Sequence, residues 1–393
     1  MPRLYLALLL LWLACPSWAL TPAPLDSDDL RLPLGYYTGY YEDVHGSLGV
    51  EQVLGLDDDL FHEVDSDHIN LGKNASVWWF RIRLVNTLEQ ELGGYLEINY
   101  PLLDHLQVHL ITPDGKHLQQ ESGDSFAFSQ RPVQVRNFWF PMQLEPGVST
   151  LLVRVETTST VFVPLFFATY GASAAAQENL MGFNGAFYGV LFAMFCYNLF
   201  LYLSLRESAY LWYLAYNLNV GLLAACFDGM LFKLLPEHVT LQSVSIYILM
   251  YLHCLTAIQF SRHFLHARQY FPRLDTCLRL LMLICVGCLL SVSLIGFAAW
   301  NILASVTVSL VSLILLLTGV YVWRRGVRYG SYYTLAWAIL LFAFIQATTG
   351  SLGLEVLGVF GATVVKIGVT IELITLSIGL ADRINLLKEE GFQ

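Results

Sequence analysis

A two-layer β-sandwich followed by an all-α seven-transmembrane helix bundle is the architecture this sequence predicts, and three observations carry it. The stretch from Leu180 to Ala381 is nearly continuous in apolar residues and divides into seven blocks, each long enough to cross a hydrocarbon core of roughly 30 Å as a helix. The segment from Thr21 to Gly171 instead alternates apolar and polar residues over short runs separated by turn residues. The acidic excess belongs to that segment alone: residues 20–171 hold 21 Asp and Glu against 8 Lys and Arg, whereas residues 172–393 hold 10 against 12. No basic surface of the kind that binds nucleic acid is present.

The chain opens with a single basic residue, Arg3, then the apolar run Leu4–Ala14 and the small-residue end Ser17-Trp18-Ala19. This pattern predicts a signal peptide over 1–19, too short to span, and an exported domain over 20–171. Cys15 lies in that leader and the other six cysteines lie in the apolar blocks, so the domain must fold on its core without disulfides. Cys285 and Cys288 have CxxC spacing but no further ligand nearby, and read as small buried hydrophobes. No cofactor is expected.

Val77–Val85 gives the clearest alternation, with Phe80, Ile82 and Leu84 on one face and Trp79, Arg81 and Arg83 on the other. Similar runs follow at Tyr95–Tyr100, His105–Thr112, Gln134–Phe140, Thr150–Glu156 and Val161–Thr169, with turns at Thr112-Pro-Asp-Gly115 and Leu144-Glu-Pro-Gly147. The polar side chains of these runs form the candidate ligand surface: Trp79, Arg81, Arg83, Gln107, His109, Arg154 and Glu156, with Trp139 and the nearby Arg131 and Arg136. Aromatic plates beside guanidinium and carboxylate groups suit sugar rings, whose faces are apolar and whose hydroxyls take paired hydrogen bonds. The competing reading is a solvated face whose tryptophans complete the core. Asp57-Asp58-Asp59 and Asp65-Ser-Asp67 lack calcium-loop spacing and read as acidic loops.

Ala172–Asn179 is expected to be a short linker that couples the sandwich to the first span. The apolar runs are Leu180–Leu203, Tyr210–Leu231, Thr240–Phe260, Leu274–Phe297, Ile302–Trp323, Tyr332–Leu352 and Val356–Ala381, together a bundle over 180–381. Nine Lys and Arg on one side of these runs face Lys233 alone on the other, which places residues 382–393 in the cytoplasm and the sandwich outside. Gly185-x-x-x-Gly189 and Gly358-x-x-Gly361 would permit close helix approach, and Asn184, Asn198, Asn217 and Asn219 would serve as packing amides. Asp228, Lys366 and Glu372 are too costly to leave in lipid unpaired and form a candidate polar switch, with Lys366–Asp228 as the expected pair. Lys366 and Glu372 are about 600° apart around a helix and do not share a face.

Several stretches resemble the bacterial seven-transmembrane receptors with diverse intracellular signalling modules. They include Gly185-Ala-Phe-Tyr-Gly-Val-Leu-Phe through Tyr197-Asn198, then Arg206-Glu207-Ser-Ala-Tyr210-Leu-Trp-Tyr213, and the exit Leu380-Ala381-Asp382-Arg383-Ile384-Asn385. The exported part is similar to that family's second extracellular domain through Trp78-Trp79-Phe80-Arg81, Pro101-Leu-Leu-Asp104, Arg131-Pro132 and Phe138-Trp-Phe140-Pro141. The resemblance implies a jelly-roll-like sandwich that binds a small, carbohydrate-like ligand. It also implies an inner-membrane receptor reporting to a cytoplasmic module such as a diguanylate cyclase or histidine kinase.

Residues 382–393 carry no Gly-Gly-Asp-Glu-Phe motif and no phosphoacceptor helix. The output module is therefore expected outside these residues or as a separate protein, no enzymatic activity is expected here, and a homodimer is plausible. Two other classes compete with this reading. A transporter or transporter accessory subunit would need internal repeats, which are not evident. An intramembrane metal hydrolase would have to draw on His253, His263 and His266, two of which sit beside Arg262 and Arg268.

Overall fold

The structure, a computed structural model, describes residues 20–351 and 361–391. Residues 1–19, where a leader is expected, Gly358 and the start of the seventh apolar run lie outside them. Thirteen strands form the N-terminal part: β1 (Ala23–Leu25), β2 (Arg31–Pro33), β3 (Thr38–Asp43), β4 (His62–Glu63), β5 (Ile69–Lys73), β6 (Val77–Asn86), β7 (Leu92–Ile98), β8 (His105–Ile111), β9 (His117–Ser122), β10 (Phe138–Leu144), β11 (Gly147–Glu156), β12 (Thr160–Val163) and β13 (Leu165–Thr169). One sheet runs β4-β3-β6-β11-β8-β9, with β1 parallel to β6; the other runs β10-β7-β13-β2; β12 and β5 form a small ribbon.

Period-2 alternation decides what faces what. Phe80, Ile82 and Leu84 of β6 meet Leu96, Ile98, Phe138, Phe140 and Phe167 in the core between the two sheets. The opposite face of β6 is covered as well. Helix α1 (Val50–Leu54) and its flanking loops lie over Trp79 and Leu152, forming a second small core with Leu20, Val53 and Phe61. A helix of one turn has no stability of its own. It is held by Val53, whose burial is worth about 1.5–3 kcal/mol, and by Arg81, described below.

The C-terminal part is helical: α2 (Tyr170–Leu205), α3 (Ser208–Phe227), α4 (Met230–Leu234), α5 (Val239–Phe264), α6 (Ala267–Tyr270), α7 (Pro272–Leu290), α8 (Val292–Ile295), α9 (Phe297–Arg324), α10 (Gly330–Ser351) and α11 (Gly361–Gly391). Among the described residues six helices are long and apolar enough to cross a membrane: α2, α3, α5, α9, α10 and α11. The run Leu274–Phe297, expected as the fourth span, is not one of these six.

 That run forms α7 and α8, with Arg273, Asp275 and Arg279 gathered in its first turns and Gly296 (φ +75°) at its end. Helix α7 still joins the bundle core through Leu278 and Cys285.

The expected linker Ala172–Asn179 is likewise not a separate segment. Strand β13 passes at Thr169 straight into α2, and Ala172, Ala174, Ala175 and Ala176 continue that helix as strong helix formers. A Cβ at Gly185 or Gly189 would meet nothing within 4 Å, so this pair does not mediate helix contact. Close approach occurs at Gly368, where a Cβ would lie 2.7 Å from Ala343 Cβ and would drive α11 off α10.

Candidate functional site

The outward face of the seven-stranded sheet gathers most of the expected ligand residues. Cross-strand register sets Trp79 opposite Arg154, Arg154 opposite Gln107, and Gln107 opposite Glu121. One residue pair along, Arg81 and His109 both lie opposite Leu152. Trp79, Arg81, Arg83, Gln107, His109 and Arg154 therefore share a face, with Glu156 at its edge.

That face is not the open plate that strand alternation suggests. Trp79 and Arg81 are buried beneath α1 and its loops, and His109 is buried against Trp79. Arg81 donates through Nη1 to Leu56 O and Asp58 Oδ1, both at 2.9 Å, and through Nη2 to Val53 O, with its guanidinium 4.0 Å from the Phe61 ring centroid. Arg83 pairs with Asp58 at 2.6 Å. The acidic loop thus acts as the counter-charge that folds its own segment over the sheet. His109 stacks on Trp79 at 6.1 Å and meets His117 Nε2 at 3.1 Å. Burial, then the charges of His117 and Arg154, press the His109 pKa down to about 4, so the imidazole is neutral. The polar part of the face that stays accessible is Arg83, Gln107–Glu121 and Arg154–Glu156.

The remaining candidates lie elsewhere. Trp139 is on β10 of the other sheet, packed 5.1 Å from Tyr95. Arg131 and Arg136 sit at the end of the sandwich that touches the bundle. Arg131 is buried, bonds Val135 O and Arg136 O, and lies over Phe128, Phe138 and the α4 residue Phe232. Phe128 N–H donates to Pro236 O at 2.9 Å, and Ser129 donates to Glu237 at 2.7 Å. Nearby, Asp124 is pushed up to about 8, first by burial and then by the charge and hydrogen bond of Asp104.

Between sandwich and bundle these contacts lead to a buried polar junction. Asp228, which caps α3, accepts from Lys366 Nζ on α11 at 2.6 and 2.8 Å and from Tyr188 Oη on α2 at 2.7 Å. Lys366 also donates to Asn184 Oδ1 at 2.6 Å, and Arg136 Nη1 of the sandwich lies 3.9 Å from Asp228 Oδ2. Gly229 (φ +71°) makes the sharp exit that sets Asp228 against Arg136, in a conformation other residues resist. The expected Lys366–Asp228 contact is therefore present, and one carboxylate stands between two cations contributed by the two halves of the chain.

Asn184 and Tyr188 were not singled out as its partners. Their spacing of four residues, which stacks them on one face of α2, is the signal that identifies them. Asn198, Asn217 and Asn219 do act as packing amides, bonding Ser377, Leu191 O and Leu249 O on neighbouring helices.

Glu372 does not join this junction. It is fully buried about one and two-thirds turns further along α11, accepts from Tyr216 at 3.0 Å, and keeps Oε2 without a hydrogen bond among the described residues. Of the histidines, His253 packs on Tyr216 and Phe344, while His263 bonds Ser208 and Gln259. At the end of the bundle away from the sandwich, Arg383 of α11 is buried, donates to His263 O and Phe264 O, and pairs with Glu207. A second anchor holds the start of α2: Ser173 donates to Glu97 at 2.7 Å, and Glu97 is also held by Arg31 and Asn99.

Comparison with known families agrees with this layout. A family described as 7TM diverse intracellular signalling matches residues 180–383, and 7TMR-DISM extracellular 2 matches residues 35–169. No curated protein matches the chain. The first match covers just over half of the sequence and the second covers most of the sandwich, so the chain belongs to the 7TM diverse intracellular signalling family.

Proposed function

We propose that this protein is an inner-membrane sensory receptor whose sandwich lies outside the cytoplasm and binds a small ligand. The signal passes through the helices to a cytoplasmic module of the diguanylate cyclase or histidine kinase kind, joined outside these residues or recruited in trans. The observation that supports this reading best is the Arg136–Asp228–Lys366 series, an unbroken polar link from the sandwich to the helix that leaves at the far end. A ligand that shifts Arg136 changes the field on Asp228 and so the hold on Lys366. The accessible groups for that ligand are Arg83, Gln107, Glu121, Arg154 and Glu156, whose donors and acceptors fit a hydroxyl-rich or carboxylated molecule such as a carbohydrate. No catalytic role is proposed for any of these residues.

The test is a thermal-shift screen of the whole protein in bilayer discs against sugars and small acids, because a specific ligand stabilises the folded state by mass action. Each stabilising ligand is then followed by hydrogen exchange over Ala381–Gly391. Altered exchange in that segment is the expected result. Ligand binding with no change at the far end would defeat the receptor reading and leave a binding protein.

A further inference from the structure

We propose that the mouth between α5, α6 and α7, at the end of the bundle opposite the sandwich, is a binding site for a phosphate group, supplied by an anionic lipid headgroup or by a soluble phosphate. A cavity of about 610 Å³ opens there, lined by Arg262, His263, His266 and Arg268 together with Gln259 and Asp275. Its volume suits a headgroup rather than a single water.

The charge balance of the cavity is positive. Asp275 is buried and accepts from Arg262 Nε at 2.7 Å and from Arg279, so one carboxylate answers two guanidiniums. Arg268 adds a further charge, is exposed, and has no ion pair among the described residues. Gln259 holds Arg262 from the other side at 2.6 Å, which fixes the guanidinium at the cavity wall. Planar guanidiniums and amide N–H groups set in this way are suited to phosphate oxygens.

His266 supplies the second, independent observation. Its backbone is left-handed (φ +48°), a conformation that costs a residue with a Cβ energy and is retained where the surroundings impose it. Its Nε2 is buried without a hydrogen bond among the described residues; the nearest carboxylate, Glu207 Oε1, is 3.8 Å away and is already engaged by Arg383. That nitrogen faces Glu207 rather than the cavity, so what His266 contributes is the fixed turn between Arg262 and Arg268, both of which line the mouth.

The site also bears on the last helix. The carbonyls of His263 and Phe264, at the rim of the cavity, are those that receive Arg383 of α11. An occupied cavity holds that rim in place and with it the exit of α11.

The experiment uses the full chain in discs of phosphatidylcholine. One arm adds phosphatidylglycerol to the bilayer, and the other adds inorganic phosphate, matched against chloride at equal ionic strength. A raised unfolding midpoint in the lipid arm identifies a headgroup site, and a raised midpoint in the phosphate arm identifies a soluble ligand. In the responding arm R268Q is expected to lose about tenfold in apparent affinity, the scale of one charge-assisted contact. Arg325→Gln, which removes a charge at the same end but outside the cavity, keeps the wild-type response. No response in either arm, an unchanged response in R268Q, or an equal loss in Arg325→Gln would overturn the proposal, the last because it shows general attraction of anions to a basic surface.

Discussion

Lys366 Nζ lies 2.6 Å from Asp228 Oδ1 and 2.8 Å from Oδ2, so the last helix of the bundle and the end of the second are joined beneath the sandwich by an ammonium held on both carboxylate oxygens. The pair is mostly buried, and Asn184 and Tyr188 complete its hydrogen bonds. Such a pair is costly to break from one side, because the partner left behind keeps its charge with no counter-ion.

Lys366→Met is therefore expected to destabilise the bundle by about 3 kcal/mol, the low end of the range for buried pairs since Arg136 still faces Asp228. Adding Asp228→Leu should recover part of that loss. Unfolding midpoints of the two single variants and the double variant, taken as a cycle, measure the coupling. Strict additivity would show that the contact contributes nothing.

The contact of Arg136 with Asp228 is longer, at 3.9 Å, and beyond hydrogen-bond reach. Arg136→Ala should cost no more than about 1 kcal/mol of global stability, because Lys366 still neutralises Asp228. Its effect is local: hydrogen exchange should rise in Met230–Leu234, which Arg131 and Arg136 hold against the sandwich. A large fall in the global midpoint with no local change would contradict this assignment.

The helical junction invites a direct test. Replacing Ala172–Asn179 with a flexible Gly/Ser segment removes helix formers worth up to about 1 kcal/mol per residue against glycine and breaks the Ser173–Glu97 bond. Expression and ligand binding should survive while ligand-induced exchange changes over Ala381–Gly391 disappear. Unchanged transmission would refute mechanical coupling through α2.

Asp124 and His109 predict the pH dependence of the sandwich. The folded pKa of Asp124, about 8, lies above the ordinary 3.8, so its contribution is whole below pH 3.8 and is lost as pH rises through about 8. His109 behaves in the opposite sense: depressed to about 4 from 6.5, it contributes fully above 6.5 and loses that contribution as pH falls through about 4. The two offset one another between about pH 4 and 6.5, and stability should fall from 6.5 to 8. Asp124→Asn, which can still donate to Asp104, should abolish the fall between 6.5 and 8 in tryptophan-monitored unfolding. A wild-type profile flat across that interval would disprove the assignment.

How much of this was legible in the sequence depends on the range of the interactions involved. The two faces of β6 follow from period-2 alternation, and the Lys366–Asp228 contact follows from the cost of charge in lipid, which leaves few partners. The cover over Trp79 and Arg81 was not legible. It depends on a single-turn helix and on Asp58 reaching Arg81 across 23 residues, and neither leaves a periodic trace. Arg131 and Arg136 read as members of a sheet face because only the three-dimensional path of Arg131–Asn137 brings them to the bundle. The run around Asp275 reads as a span from its apolar content, but the pairing of Asp275 with both Arg262 and Arg279 at one end of it has no sequence signal.

The seamless passage of β13 into α2 has a geometric consequence. A helix of 36 residues is about 54 Å long at 1.5 Å per residue. With its root bonded into a sheet through Glu97 and no hinge at Thr169, it behaves as a lever. A tilt of the sandwich by about 5° would sweep the opposite tip sideways by roughly 5 Å, close to one helical pitch.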